Sequence, residues 1–210
     1  MKTKFDTIIK ELKHHLPFTL VASLVASVLV AIIFLVKGGL GDFDMAAFEI
    51  LHPAHVLVSA AATATIFHRY KKSFLESVLI GTIGAILIGT LSDVIFPWIS
   101  GNLLMLDTHF HLPLIEEPFL IIGVAIIGSL VGIFLGLSKL SHLLHVFLSV
   151  FASLFYLLAF SSGINIWIIL IISLVVFVAV LVPCCISDIV FPLLFIKRPC
   201  KKCGYYHDHE

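Results

Sequence analysis

The chain has 210 residues, a mean hydropathy of +1.15, 60% apolar residues and only 12% charged ones. A water-soluble domain of this length has too little interior to hide that much apolar surface, so the composition defines an integral membrane protein. Lys and Arg match Asp and Glu at 13 each, and this lack of net charge excludes nucleic acid as a partner and leaves the lipid bilayer and ions.

The apolar runs are long and lack the period-two alternation of barrel strands, which predicts an all-α polytopic fold. Residues 1–16 carry Lys2, Lys4, Lys10, Lys13, His14 and His15 and read as a polar segment on the membrane surface. They are too polar, and the next run too long, for a cleavable signal peptide. Pro17 to Val36 is a first span, close to the roughly 20 residues a bilayer requires. Lys37 to Ile50 reads as a loop rich in Gly and acid, and Leu51 to Tyr70 as a second span. A basic turn of Arg69, Lys71 and Lys72 precedes a third span, Phe74 to Ile99. Residues 100–117 form the longest polar interval, an extracytoplasmic loop with Asp107, His109, His111, Glu116 and Glu117.

Pro118 to Leu137 is a fourth span in which Gly128, Gly132 and Gly136 stand four apart. Such a small-residue face lets another helix approach closely, from this chain or from a second copy in a homodimer. Ser27 and Ala31 are the matching small positions of the first span. Ser141 to Phe160 is a fifth span, and Ile164 to Ile196 a sixth, longer than one crossing needs. Pro183 is expected to break it, leaving Cys184 to Phe195 as a half-helix or surface segment. Residues 197–210 are a Cys/His tail.

The second half repeats the first. Ser92-Asp93-Val94-Ile95-Phe96-Pro97 returns as Ser187-Asp188-Ile189-Val190-Phe191-Pro192. His52, His55 and Ser59 return as His142, His145 and Ser149, and Pro17-Phe18 as Pro118-Phe119. Residues 17–99 and 118–196 are therefore expected to be two copies of a three-helix unit. An odd number of spans inverts the second copy, which gives six transmembrane helices with a pseudo-two-fold axis in the membrane plane. With six spans, every Lys and Arg except Lys37 falls on one side. The positive-inside rule then places both termini in the cytoplasm of a plasma (inner) membrane protein.

The residues shared by both copies are metal-ligand types. Two His three apart lie on one helix face, with the Ser one turn further on, and imidazole pairs at that spacing chelate divalent transition ions. The expected ligands are His52, His55 and Asp93 in one cluster and His142, His145 and Asp188 in another. The clusters are expected near the outer and inner faces, joined respectively by Glu116 and Glu117 or by His14 and His15, with Ser59 and Ser149 as further donors. Intramembrane carboxylates cost roughly 2.5–3.5 kcal/mol on insertion scales, which marks Asp93 and Asp188 as functional. The competing reading is that Ser-Asp before Phe-Pro caps a half-helix at a break. In the tail, Cys200-x-x-Cys203-Gly204 resembles half of a zinc knuckle, which His207 and His209 would complete.

Walker A, GxGxxG and GxSxG patterns are absent, so nothing supports ATP or dinucleotide chemistry. The leading expectation is transport of a divalent cation (zinc, iron, manganese or nickel) between the clusters, with protons as the coupling species. An intramembrane metalloenzyme, either a zinc hydrolase or a di-iron oxidoreductase, stays open. The His count resembles that of the histidine boxes of membrane di-iron hydroxylases, but the spacings differ. A haem-bearing electron carrier and a non-catalytic assembly component stay open too.

Overall fold

The structure is a computed structural model that describes residues 4–37, 42–136, 138–185 and 190–195. Among them there is helix and no strand. The long helices are α1 (Lys4–Lys37), α2 (Asp42–Tyr70), α3 (Phe74–Thr90), α4 (Phe96–Leu103), α6 (Pro118–Leu135), α7 (Ser138–Phe160) and α8 (Ile166–Cys185). Single turns form α5 (Pro113–Glu116) and α9 (Phe191–Leu194). A five-residue π-helical turn, Leu91–Ile95, joins α3 to α4 without a break. Four helical stretches are long and apolar enough to cross a membrane: Asp44–Tyr70, Phe74–Leu103, Pro118–Leu135 and Leu143–Phe160. Leu20–Val36 and Ile166–Phe177 are shorter apolar helices.

Several boundaries differ from the sequence expectation. The second span begins at Asp42, not Leu51. Asp44 stands in the first turn of α2, where a carboxylate favours the positive end of the helix dipole. Phe48, one turn on, is fully buried against Tyr156 and Phe160, so this acid-rich stretch is anchored as helix. The third span continues past Ile99 to Leu103. Pro183 lies inside α8, which runs two residues beyond it instead of breaking there.

Helices α2 and α7 form the centre. α2 packs on α7, α6 and α3, while α7 also takes α1 and α8. The two run antiparallel: Phe48 near the start of α2 meets Phe160 at the end of α7, and His55 meets His145 further in. Their enclosure is visible in burial, at 61% of each span against 28% for α6, whose Phe119, Ile127 and Phe134 point outward. α1 and α8 likewise expose Leu24, Leu35, Trp167 and Leu174, an apolar belt suited to lipid and not to water.

The glycine pattern of α6 is used within the chain. A Cβ on Gly128 or Gly132 would collide with the backbone of Leu57 or Ala61, so these glycines let α6 lie directly on α2. Thr65 fastens the contact, its Oγ1 2.7 Å from the Gly132 carbonyl oxygen. Gly136 is not part of that seam. It caps α6 in the left-handed region at φ 63°, with open space around it. On α1 the fully enclosed small residues are Ala22, Ser23 and Ala26, one position from the expected Ser27 and Ala31 face, which is half-buried.

Candidate metal centre

Asp93 is fully buried midway along the bundle, and four side chains from three elements converge on it. Nδ1 of His52 and Nδ1 of His55 lie 2.9 and 2.6 Å from its Oδ2. Ser92 and Ser149 donate to its Oδ1 at 2.8 and 2.9 Å. All these residues, and His145, are 0% exposed. Asp93 therefore spends its oxygens on side chains and not on backbone N–H groups at a helix start. The half-helix capping reading is corrected on that ground: α4 begins with no side-chain cap, because the chain passes through a π turn.

Pro97 explains the turn. A proline within a helix has no N–H, and its ring clashes with the carbonyl four residues back, here Asp93. Widening to i→i+5 bonding relieves the clash, and Phe96 N–H indeed reaches Leu91 O. In that register Pro97 would bond Ser92 O but has nothing to donate. Ser153 Oγ on α7 lies 3.0 Å from Ser92 O and 2.7 Å from Ser149 O, so its one hydrogen is shared between the stranded carbonyl and its own helix. The motif thus bulges the helix, aims Asp93 into the bundle and ties the bulge to α7. Gly89, whose added Cβ would meet Val56 at 3.3 Å, gives α2 room to approach.

The hydrogen-bond pattern fixes the chemistry of the imidazoles. A carboxylate oxygen only accepts, so each Nδ1 facing Oδ2 must carry its hydrogen. In a neutral ring Nε2 then keeps the free lone pair. Nε2 of His52 and of His55 is buried and has no hydrogen-bond partner among the described residues. A buried polar atom left unsatisfied costs about 1–3 kcal/mol, so two in one cluster call for an explanation. A metal ion would provide it. His52, His55 and Asp93 form a group able to hold one, each offering a ligand atom within 4.8 Å of the others. Bonds of 2.0–2.1 Å in a tetrahedron set neighbouring ligand atoms about 3.3 Å apart. The Nδ1–Oδ2 separations are shorter, so as placed these atoms are hydrogen-bonded; Nε2 is the atom each imidazole could offer an ion, with Asp93 as the outer carboxylate that would orient the rings.

Residues expected in different clusters meet here, with the His142 side chain and Asp188 outside the described residues. His145, assigned to the inner set, lies ring to ring with His55 at 4.6 Å, and Ser149, from the same copy, bonds Asp93 directly. The helices that carry the first cluster are longer than expected. His55 is about 16 Å along the helix from Asp44, and Asp93 about 15 Å from Leu103, at 1.5 Å per residue. Ser92 and Ser153 were missed as site residues. The Pro four residues after Asp93, which strands a carbonyl, was the available signal.

Glu116 and Glu117 do not reach the centre. Both are exposed in the loop, where Glu116 pairs with His111 Nδ1 at 2.9 Å. With Glu49 and Pro53 they line a cavity of about 40 Å³ at that end of the bundle. His111 stacks on Phe160, and Phe48 lies between it and His52, in ring contact with both. His109 is exposed, although its backbone is held by Phe160 and Tyr156. Ser59 is buried on the α2 face that carries His52 and His55. The side chains of His14, His15, His142, Cys184 and Cys185 lie outside the described residues, as do the whole of Asp188, Cys200, Cys203, His207 and His209.

Fold and site together define a helical, membrane-type protein with a buried His/Asp group that can hold a metal ion. Comparison with known proteins finds no matching family, no similar curated protein and no similar solved structure.

Proposed function

We propose that this protein transports a divalent transition-metal cation across the membrane through one central site shared by its two halves. The observation that carries the reading is the Asp93 clamp: two buried imidazoles held with Nδ1 on the carboxylate and Nε2 open to a ligand. An ionised Asp93 with two neutral His carries one net negative charge in a setting where an isolated charge is costly. A divalent cation on Nε2 turns that into one net positive charge, and a proton on one imidazole brings it to zero. Metal and proton then compete for the same place, which is the elementary requirement for exchanging one against the other. Imidazole nitrogens suit zinc, iron and nickel, and manganese less well.

The packing supports six spans in two inverted repeats. Under that scheme α1, α2 and α3 correspond to α6, α7 and α8, and the observed contacts pair off accordingly. α1 packs on α7 as α6 packs on α2; α3 packs on α6 as α8 packs on α1. Burial along α2 and α7 also matches at His55/His145, Ser59/Ser149, Thr63/Ser153, Phe67/Leu157 and Tyr70/Phe160. The cavity at Glu49, His111 and Glu116 lies at one end of the bundle, with Phe48 next to His52 beneath it, a vestibule for an incoming cation. The basic residues favour the opposite end, with both termini, facing the cytoplasm. A hydrolase would need a cavity that admits substrate beside the ion, and the full burial of His52, His55 and Asp93 favours ion binding alone.

Purified protein reconstituted in liposomes and loaded with a metal-sensitive dye tests the reading. Zinc, manganese, iron and nickel are offered in turn, with Asp93→Asn as the control. At least one ion should cross in the wild type and not in the variant. Equal flux in both would reject the mechanism.

A further inference from the structure

We propose that a second, separate cavity binds the phosphate group of an anionic phospholipid. It lies where α2 and α6 end, away from the His111 loop. It measures about 200 Å³ and is lined by Thr65, His68, Arg69, Lys72, Ile133 and Gly136. Basic residues at a helix end commonly complement the dipole and anchor the protein at the headgroups, and that role must be subtracted first. Two helix C-termini contribute roughly −0.5 charge each. Arg69 and Lys72 contribute two full positive charges, which leaves the cavity about one charge positive before His68 is counted.

No acid among the described residues removes that surplus. Glu76 is taken by Lys71 at 3.0 Å, and among the described residues Arg69 and Lys72 make no ion pair. A phosphodiester carries one negative charge and oxygens that suit a guanidinium fork and an ammonium. The surroundings distinguish a lipid from a free anion. Ile133 forms part of the wall, and Phe134, Leu135, Phe74 and Leu75 beside it are 76, 60, 49 and 68% exposed. A headgroup seated on Arg69 and Lys72 would lay its chains along this apolar strip. Basic pockets between membrane helices hold anionic headgroups in this way. Gly136, with open space around its Cα, keeps the mouth clear of a side chain.

Native mass spectrometry of the full-length protein in detergent tests this, with phosphatidylglycerol, phosphatidylcholine or inorganic phosphate added. The wild type should retain phosphatidylglycerol at least fivefold better than phosphatidylcholine, and R69Q/K72Q should lose that preference while R69K/K72R keeps it. The variant K72Q alone, altered in the exposed turn after α2, should weaken retention at least twofold, so the test survives if the double variant does not fold. Displacement of the lipid by millimolar inorganic phosphate would overturn the lipid assignment in favour of a free phosphate. Equal lipid preference in wild type and R69Q/K72Q, or no preference in the wild type, would overturn the site.

Discussion

Replacing Asp93 with Asn is the sharpest perturbation, because the geometry lets the fold survive while the chemistry changes. In the native cluster Oδ2 accepts from two imidazole Nδ1–H groups and Oδ1 accepts from two hydroxyls. An Asn amide placed the same way presents two N–H donors where Oδ2 stood and keeps an acceptor for Ser92 and Ser149. Both imidazoles can answer by moving their hydrogen to Nε2, so that each Nδ1 accepts one amide hydrogen. All four hydrogen bonds persist, and a buried charge is removed. Stability without metal should therefore change by no more than about 1 kcal/mol, or about 2–4 °C for a chain of this size. Metal binding changes sharply, since Nε2 now carries hydrogen. Returning the tautomers would set N–H against N–H and forfeit two buried hydrogen bonds, roughly 1–1.5 kcal/mol each, which lowers affinity about 30- to 200-fold. The assay is thermal unfolding in detergent, first with chelator and then with rising zinc or manganese. The wild type should gain stability with metal by mass action and the variant should not. An Asp93→Asn variant several degrees less stable in chelator would show that the carboxylate is a structural fastener. One stabilised by metal like the wild type would show that Nε2 is not the ligand atom.

Ser149→Ala removes one of the two hydroxyls on Oδ1 and should weaken metal binding about 10- to 150-fold, the worth of a hydrogen bond to a charged group. His145→Ala should lower affinity about tenfold or more if the site is shared between halves; unchanged binding by titration calorimetry would return the two-cluster picture. Lowering pH through the range where imidazole titrates should weaken metal binding about tenfold per unit for each proton displaced, and a pH-independent affinity would argue against His ligation. Gly128→Ala should destabilise by about 1–3 kcal/mol, because the new methyl meets the Leu57 backbone, whereas Gly123→Ala, with open space around it, should be neutral in the same melting experiment.

The sequence made the chemistry more legible than the depth. His52, His55 and Asp93 stood out because they are polar, repeated and set in apolar runs, and the fold brings those three together. Their position was misread because Asp42 to Ile50 looks like a loop by composition. Nothing local reveals that Phe48 is enclosed by His111, Tyr156 and Phe160, since those partners come from distant segments. The π turn was half legible. Pro97 announces trouble for the helix, but whether the chain breaks or bulges depends on whether another helix supplies a donor to the stranded carbonyl. Ser153, 61 residues away, does so, and no spacing rule relates the two. The Gly128 and Gly132 seam was readable as close packing, but its partner α2 was not.

The crossing of α2 and α7 bears most directly on whether there is one site or two. When two equivalent helices cross antiparallel about a two-fold axis, a residue meets its own counterpart only where the axis passes. Residues a few turns away meet non-equivalent positions instead. His55 against His145 is such a self-meeting pair in the proposed repeat, at 4.6 Å, whereas Phe48 reaches Tyr156 and Phe160. Under that proposal a ligand set centred on His55 would sit beside the axis, and Ser149 of α7 bonds Asp93 there. Two sites far apart near opposite faces would require the repeated His pairs to lie away from the crossing. In that arrangement one half could be changed without touching the other. With the pair at the crossing, any rocking of one half against the other must pull His145 and Ser149 away from His55 and Asp93. The donor set would then alter as the halves move, which links ion affinity to conformation without a second site.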